Sequence, residues 1–130
     1  MFVSALLSRR GPAAQIFNAW RQRKFLLIIS PFLLQEIERV LRYPKIQQKY
    51  GISDQEIQIL LELLRRDAIV VSGNLVVQNV IPDDPEDEHV LACALEGRAD
   101  CIVSGDAHLL RLKTFQGIPI LPLKAFLEKL

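Results

Sequence analysis

The sequence predicts an α/β protein with a mostly parallel sheet. Short apolar runs alternate along the chain with longer segments of helical periodicity, and this alternation indicates βαβ units. The runs are almost continuously apolar, which is typical of strands that are buried on both faces. Of the 130 residues, 50% are hydrophobic and 24% are charged, so the chain can bury one sizeable core. We therefore expect a single domain over residues 1–130.

Composition excludes several classes of protein. The net charge is +1, so a nucleic-acid partner would have to be held by local basic patches. Cys93 and Cys101 form no metal-binding pair and are expected to be buried thiols in a reducing compartment. The start does not have the pattern of a signal peptide, and no run reaches the roughly 20 apolar residues that cross a bilayer. We therefore expect a cytoplasmic protein without a membrane partner.

The first half of the chain carries clear helix and strand signals. Residues 11–23 predict a helix that opens at a Gly-Pro pair, and residues 26–29 predict a buried strand. Ser30 is a predicted N-cap, and Pro31 occupies the first position of the helix that follows. Pro44 is expected to end that helix, because a proline disfavours helical geometry in the residue before it.

The second half continues the alternation of helices and strands. Ser53 and Glu56 form a capping-box pattern at the start of a helix, and residues 68–71 predict the next strand. Residues 75–81 look extended, and residues 82–85 predict a turn. The remaining elements are a helix through residues 90–95 that Gly97 ends, a strand at 101–103, a short helix through 109–112, a strand at 118–121 and a helix over 123–130.

Acidic residues lie near the ends of the strands, where α/β proteins bind their ligands. Asp106 comes three residues after Val103, and it is either a site residue or the N-cap of the next helix. Asp87 points the same way as the apolar stripe of its helix, so it is either a site residue or an ordinary helix-start carboxylate. Glu36 and Glu38 flank the stripe of an earlier helix, and the pattern alone does not choose between them.

Carboxylates that gather at one edge of a sheet, without a convincing Cys or His partner, predict a hard cation. Oxygen ligands of this kind suit Mg²⁺ or Mn²⁺. Such sites lower the pKa of a bound water and clamp the oxygens of a phosphodiester. Ser104 is interpreted either as a support for a metal-bound water or phosphate, or as a turn residue. His89 and His108 are interpreted as surface or satisfied histidines.

Two basic clusters are candidates for phosphate contacts, although charge runs are more often solvated faces. The first contains Arg9, Arg10, Arg21, Arg23 and Lys24, and the second contains Arg39, Arg42, Lys45 and Lys49. The aromatic side chains of Phe17, Trp20 and Phe25 are expected in the core, since stacking on bases requires exposed rings.

Three stretches of the sequence together resemble the PIN-domain toxins, relatives of the VapC ribonucleases of bacterial toxin–antitoxin pairs. They are SPFLLQEIERVLRYPKI from Ser30, DDPEDEHVLACALEGRADCIVSGDAHLL from Asp83, and GIPILPLKAFL from Gly117. The resemblance covers essentially the whole chain. It implies a three-layer α/β/α fold, Mg²⁺- or Mn²⁺-dependent cleavage of RNA, and restraint by a cognate antitoxin. Dimerisation is usual in the family, so a homodimer is implied as well.

The resemblance also implies which residues form the site. Glu36, Asp87 and Asp106 match the family's metal-binding and catalytic carboxylates, and Ser104 matches a supporting Ser or Thr. The choice of Glu36 over Glu38 rests on the resemblance alone. Family members begin with an apolar strand that ends in Asp-Thr-Asn, and here Met1 falls just after the position of that motif. This strand, which lies in the middle of the family's sheet, and its metal-binding Asp are therefore expected to be absent.

Two explanations account for this departure. Either the start has been assigned too late and the natural protein is longer, or the chain is truncated and weakly active or inactive. The first is favoured because the remainder is an unbroken family sequence. The leading hypothesis is therefore a ribonuclease toxin. The alternatives are a non-catalytic PIN-like module that binds RNA or an antitoxin, and a flavodoxin-like nucleotide binder, which the missing phosphate loop disfavours.

Overall fold

The computed structural model of the protein describes residues 12–81 and 87–130. Its strands are β1 (Ile28–Ile29), β2 (Ile69–Val70), β3 (Ile102–Val103), β4 (Thr114–Phe115) and β5 (Ile118–Leu121). Its helices are α1 (Pro12–Arg21), α2 (Pro31–Leu41), α3 (Pro44–Tyr50), α4 (Asp54–Asp67), α5 (Asp87–Glu96), α6 (Ala107–Leu112) and α7 (Leu123–Lys129). The predicted α/β fold class is confirmed. In the part of the chain that is described, none of the helices has the length and apolar character needed to cross a membrane.

The predicted helix starts at Ser30 and Ser53 are confirmed. The Ser30 hydroxyl accepts a hydrogen bond of 3.3 Å from the backbone N–H of Leu33, and a proline opens α2. At Ser53 the capping box is complete. Its hydroxyl accepts from the Glu56 N–H at 3.1 Å, and the Glu56 carboxylate accepts from the Ser53 N–H at 3.2 Å. These bonds satisfy backbone donors that the first helical turn leaves without helical partners, so they define where α2 and α4 begin.

The strands form two sheets that are separate within the described residues. β1 pairs with β2 in parallel, with Ile28 opposite Ile69. β3 pairs with β5 in parallel, with Ile102 opposite Ile120, and β4 joins the other edge of β5 in antiparallel orientation. The predicted parallel pairing is therefore present, but no described strand connects β1 to β3.

One helix, α3, goes beyond the sequence-based expectation. Pro44 ends α2 as predicted, but it also stands at the start of α3. A proline suits that position because its φ angle is already helical and its missing N–H would have no helical partner. The helix ends at Gly51, whose φ of +63° is the left-handed geometry common after a helix.

The antiparallel strand β4 is a second addition to the prediction. It forms a hairpin with β5 in which Phe115 lies opposite Ile118, so only Gln116 and Gly117 form the turn. Both turn residues have positive φ angles, 50° for Gln116 and 80° for Gly117. This is the backbone geometry of the two-residue turns that match strand twist, but a Gln at the first position hides the usual sequence signal.

Two hydrophobic clusters form the core, one beside each sheet. The first packs α2 and α4 against β1, and the second joins α5, α6, β3 and β5. Helix α5 also contacts β1. At the carboxyl end of α5, a Cβ atom added to Gly97 would lie 2.5 Å from Cγ2 of Ile28. Helix α5 therefore lies close against the first sheet while its apolar side chains belong to the second cluster.

A buried carboxylate holds the connection between the two halves of the chain. Residues 71–81 form no strand. Glu88 of α5 is only 9% exposed, and it accepts hydrogen bonds from the backbone N–H groups of Val80 at 2.6 Å and Ile81 at 3.2 Å. The turn predicted for residues 82–85 lies outside the described residues.

Candidate metal and active site

The carboxyl ends of β1 and β3 open into one cleft. Residues of both strands line it, and its volume is about 1110 Å³. Each strand is followed by a buried serine, Ser30 after β1 and Ser104 after β3. The lining also includes Glu36, Asp87, Ser104 and Asp106, the residues that the sequence and the resemblance propose for the site. The cleft runs along both strands, and its part beyond their carboxyl ends is where α/β proteins bind ligands.

Asp106 is held in place by its own turn. It is the N-cap of α6, and its Oδ1 accepts a hydrogen bond of 2.7 Å from the backbone N–H of His108. Its own N–H donates to the Ser104 hydroxyl at 2.9 Å. The N-cap role expected of Asp106 and the turn role expected of Ser104 are both present. Because a carboxylate has several acceptor positions, the cap leaves Asp106 able to bind a further partner in the cleft.

The Asp87 and Asp106 side chains lie side by side, with potential ligand atoms within 4.8 Å of each other. Asp87 is the first residue of α5, where free N–H groups and the helix dipole stabilise a negative charge. Burial alone would raise the pKa of Asp106. The hydrogen bond from the His108 N–H, together with the neighbouring Asp87 side chain, outweighs burial, so the pKa of Asp106 lies below its ordinary value. Two carboxyl groups this close share either a proton or a cation.

His108 is the third member of this group, and the sequence analysis does not include it in the site. Asp87, Asp106 and His108 each place one potential ligand atom within 4.8 Å of the other two. Nδ1 of His108 lies 3.7 Å from Oδ1 of Asp106. The signal for this contact is the Asp-x-His spacing, since the N-cap and the second helical residue belong to the same turn of α6.

Glu36 lines the cleft but does not belong to that three-residue group. Its oxygens accept hydrogen bonds from Arg39, at 3.0 Å from Nε and 2.6 Å from Nη2. The hydrogen bond from Arg39 lowers the pKa of Glu36, so the carboxylate is ionised. The structure thus brings together two of the three predicted carboxylates, while Arg39 holds the third on its own helix. Glu38 pairs with Arg42 at 2.9 Å.

The basic clusters of the sequence are partly neutralised by neighbouring carboxylates. Arg39 and Arg42 of the second cluster both pair with glutamates of α2. Lys24 of the first cluster lines the cleft, and Arg98 does so as well. Residues 9–10 of the first cluster lie outside the described residues. Of the cationic side chains described, Lys24 and Arg98 are therefore placed at the cleft itself.

Several predictions about residues that do not belong to the Asp87–Asp106–His108 group are confirmed. Trp20 is 4% exposed and belongs to the first hydrophobic cluster, so it is a core residue. Cys93 is buried as predicted, whereas Cys101 is only half-buried, and both thiols are free. His89 is exposed at the surface, and its ring stacks on Phe32 with a centroid separation of 3.5 Å.

The donor set fits a divalent cation. Two carboxylates are the ligands that hard cations prefer, and an imidazole can add a nitrogen ligand for a first-row transition metal. Ligand atoms that bind one ion at about 2.1 Å lie at most about 4.2 Å apart. The potential ligand atoms of Asp87, Asp106 and His108 lie within 4.8 Å of one another. Small side-chain rotations would therefore bring them to this geometry.

The chain matches the family model described as the PIN domain over residues 1–108. The matched stretch includes Glu36, Asp87, Ser104 and Asp106, and it ends at His108. No curated protein and no solved structure matches the chain. The evidence for the family therefore comes from a match that spans most of the sequence.

Proposed function

The chain belongs to the PIN domain family, and from this premise we propose that it is a metal-dependent ribonuclease, the toxin of a bacterial toxin–antitoxin pair. PIN domains are generally nucleases and typically use a divalent metal. The observation that carries the proposal is the close approach of Asp87 and Asp106, which both line the cleft between β1 and β3.

In this proposal Asp87 and Asp106 hold Mg²⁺ or Mn²⁺ at the end of the cleft. When bound, the ion lowers the pKa of a water and stabilises negative charge on the phosphodiester. Ser104 and the backbone N–H of His108 keep the Asp106 carboxylate oriented. Asp87 is the first residue of α5, where the free N–H groups and the helix dipole favour a negative charge.

In this proposal Glu36 would give up its hydrogen bonds with Arg39 and bind the cation instead. The two side chains of the pair are 29% and 50% exposed, so water competes for their hydrogen bonds and the exchange costs little. The released Arg39 guanidinium is then suited to an RNA phosphate, because its planar donors match phosphate oxygens. In this arrangement Glu36 would add a third carboxylate to the site, and Arg39 would provide a phosphate contact.

We also propose that the family's first strand, which the resemblance implies is missing here, would lie in the cleft between β1 and β3. The carbonyl of Ile29 bonds to β2 and the N–H of Ser104 bonds to β5. Because successive residues of a strand face opposite sides, the backbone groups of Ile28 and Val103 face the cleft. An apolar strand between them would join the two sheets and, by the resemblance, add an aspartate to the site.

The partners in this proposal follow from the same resemblance. RNA is the substrate, a cognate antitoxin restrains the enzyme, and a second copy of the chain forms a dimer. The charged residues that line the cleft include both Asp87 and Lys24. A metal ion held by the carboxylates is a cationic group of the kind that a polyanionic substrate requires, which supports RNA as the ligand.

The proposal is tested by incubating a fluorescent single-stranded RNA with the chain and with a form extended by an apolar strand that ends in Asp-Thr-Asn. We expect the extended form to cleave RNA with Mg²⁺ or Mn²⁺ and to stop when a chelator is added. Asp106→Asn should abolish cleavage. Asp54→Asn, at a carboxylate that is 78% exposed on α4, should not.

A second control is an extended form whose added strand ends in Ala-Thr-Asn, which restores the strand without its carboxylate. It should fold as well as the Asp-Thr-Asn form and cleave far more slowly. If the Asp-Thr-Asn form cleaves no RNA, or if Asp106→Asn leaves the rate unchanged, the ribonuclease proposal is wrong.

The alternative is a non-catalytic PIN-like module that binds RNA or an antitoxin without cutting. The engagement of Glu36 by Arg39 favours it, because the three-residue group then contains only two carboxylates. Calorimetric titration of the chain with Mn²⁺ discriminates between the two functions. Retained RNA binding without Mn²⁺ binding supports the module, and tight Mn²⁺ binding contradicts it.

A further inference from the structure

His108 gives the candidate site a nitrogen donor beside its two carboxylates. Its Nδ1 lies 3.7 Å from Oδ1 of Asp106, and it shares the three-residue group with Asp87. The other histidine of the chain, His89, is exposed on α5 and stacks on Phe32 instead. The chain therefore offers one imidazole within the three-residue group, whereas His89, which acts electrostatically on Glu36, lies outside that group and serves as the control.

We propose that His108 is a direct metal ligand and that the site consequently prefers a first-row transition-metal ion, such as Mn²⁺, over Mg²⁺. This inference rests on the proposed metal-dependent function and names a ligand and an ion for the same site. Mg²⁺ is bound by oxygen ligands and retains several of its waters, whereas imidazole binds first-row transition metals well. A nitrogen ligand in place of a water therefore increases the affinity for Mn²⁺ more than the affinity for Mg²⁺.

The local geometry supports a shared ion. Two ligand atoms that each lie about 2.1 Å from one ion are separated by at most about 4.2 Å. The 3.7 Å between Nδ1 of His108 and Oδ1 of Asp106 falls within this range. The His108 backbone N–H also donates to Asp106, so both ligands are fixed to the same turn of α6. Because the two ligands are already fixed relative to each other, metal binding costs less side-chain conformational entropy.

A competing role would place the same two side chains together. A protonated His108 would form an ion pair with Asp106 and would exclude a cation from it. The two roles predict opposite effects of removing the imidazole. If His108 is a ligand, its loss weakens Mn²⁺ binding, whereas if it is a competing ion-pair partner, its loss strengthens the binding of every divalent ion.

The experiment is calorimetric titration of the full chain with Mn²⁺ and with Mg²⁺, in the wild type, in His108→Gln and in the control His89→Gln. We expect His108→Gln to weaken Mn²⁺ binding by about tenfold or more while changing Mg²⁺ binding little. His89→Gln should change neither affinity. Equal losses for both ions in His108→Gln, or a gain for both, would overturn the proposal.

A spectroscopic measurement on the wild type does not depend on how the variants fold. Electron spin-echo modulation of bound Mn²⁺ should show coupling to an imidazole nitrogen, and His89→Gln should retain that coupling. Mn²⁺ that binds without nitrogen coupling, and is lost in Asp106→Asn, would overturn the role of His108 and leave the nuclease proposal standing. Failure of the wild type to bind Mn²⁺ would overturn both.

Discussion

Oδ1 of Asp106 accepts a hydrogen bond of 2.7 Å from the backbone N–H of His108, and Nδ1 of the same histidine lies 3.7 Å from that oxygen. The carboxylate that starts α6 is therefore also the centre of the candidate metal site. A substitution at Asp106 can affect helix capping, metal binding or both. Its structural and functional roles must accordingly be separated by paired variants.

Asp106→Asn and Asp106→Ala separate these two roles. Asn retains an acceptor for the cap but lacks the charge, so Mn²⁺ binding should fall by about tenfold or more while stability changes little. Ala lacks both and should in addition destabilise the protein by about 1 kcal/mol. Calorimetry and urea unfolding measure the two effects. Wild-type Mn²⁺ affinity in Asp106→Asn would show that Asp106 is not a ligand.

Gly97→Ala should destabilise the contact between α5 and β1. The added Cβ would lie 2.5 Å from Cγ2 of Ile28 and 3.2 Å from Cγ1 of Val71, distances at which the first sheet must shift. Overpacking of this kind typically costs about 1–3 kcal/mol. In Gly105→Ala the nearest atom, Cδ1 of Leu123, is 3.6 Å away. Urea unfolding that shows equal effects for the two variants would contradict this account of the packing.

Glu88 should be a stability residue that has no part in metal binding. It is 9% exposed and accepts the N–H groups of Val80 and Ile81. Glu88→Ala leaves these donors without an acceptor and should destabilise the protein by about 1–3 kcal/mol, whereas Glu88→Gln keeps one carbonyl and should cost less. Glu128→Ala, at an exposed site, is the control. Equal stabilities for Glu88→Ala and the control would contradict the prediction.

Stability should decline in alkaline solution because of Cys93. Burial raises the pKa of this thiol to about 11, although a hydrogen bond with Ser30 opposes the shift. An unfolded thiol ionises near pH 8.5, as is typical for a cysteine, so the unfolded chain loses the proton first. The contribution of Cys93 to stability is therefore complete below about pH 8.5 and is lost as the pH rises towards the folded pKa.

The measurement is the free energy of unfolding of the wild type and of Cys93→Ala across this alkaline range. The substitution removes the titrating thiol, so the variant should lose less stability than the wild type as the pH rises. Parallel curves for the two proteins would contradict the prediction, since they would assign the alkaline decline to other groups.

The sequence predicts structure well where a signal and its partner lie within one turn of the chain. The Ser30 cap, the capping box of Ser53 and Glu56, and the cap at Asp106 are all of this kind. The placement of Asp106 beyond the carboxyl end of β3 was also predictable. It needs only the rule that parallel strands end on the same side, which holds for any βαβ protein.

Other features depend on choices that the pattern leaves open. Glu36 was predicted to be a metal ligand. In the structure, Arg39, three residues later on the same helix, donates hydrogen bonds to its carboxylate. His108 is two residues beyond Asp106, so no helical i, i+4 pattern marks it as a ligand. The separation of β1 from β3 is a long-range property that no local signal reports.

The most direct test of the metal site is a crystal of the chain grown or soaked with Mn²⁺ and measured at a wavelength where manganese scatters anomalously. We expect an anomalous peak bonded to oxygens of both Asp87 and Asp106 in the cleft between β1 and β3. A crystal that contains no manganese there, or contains it away from these two carboxylates, would contradict the account.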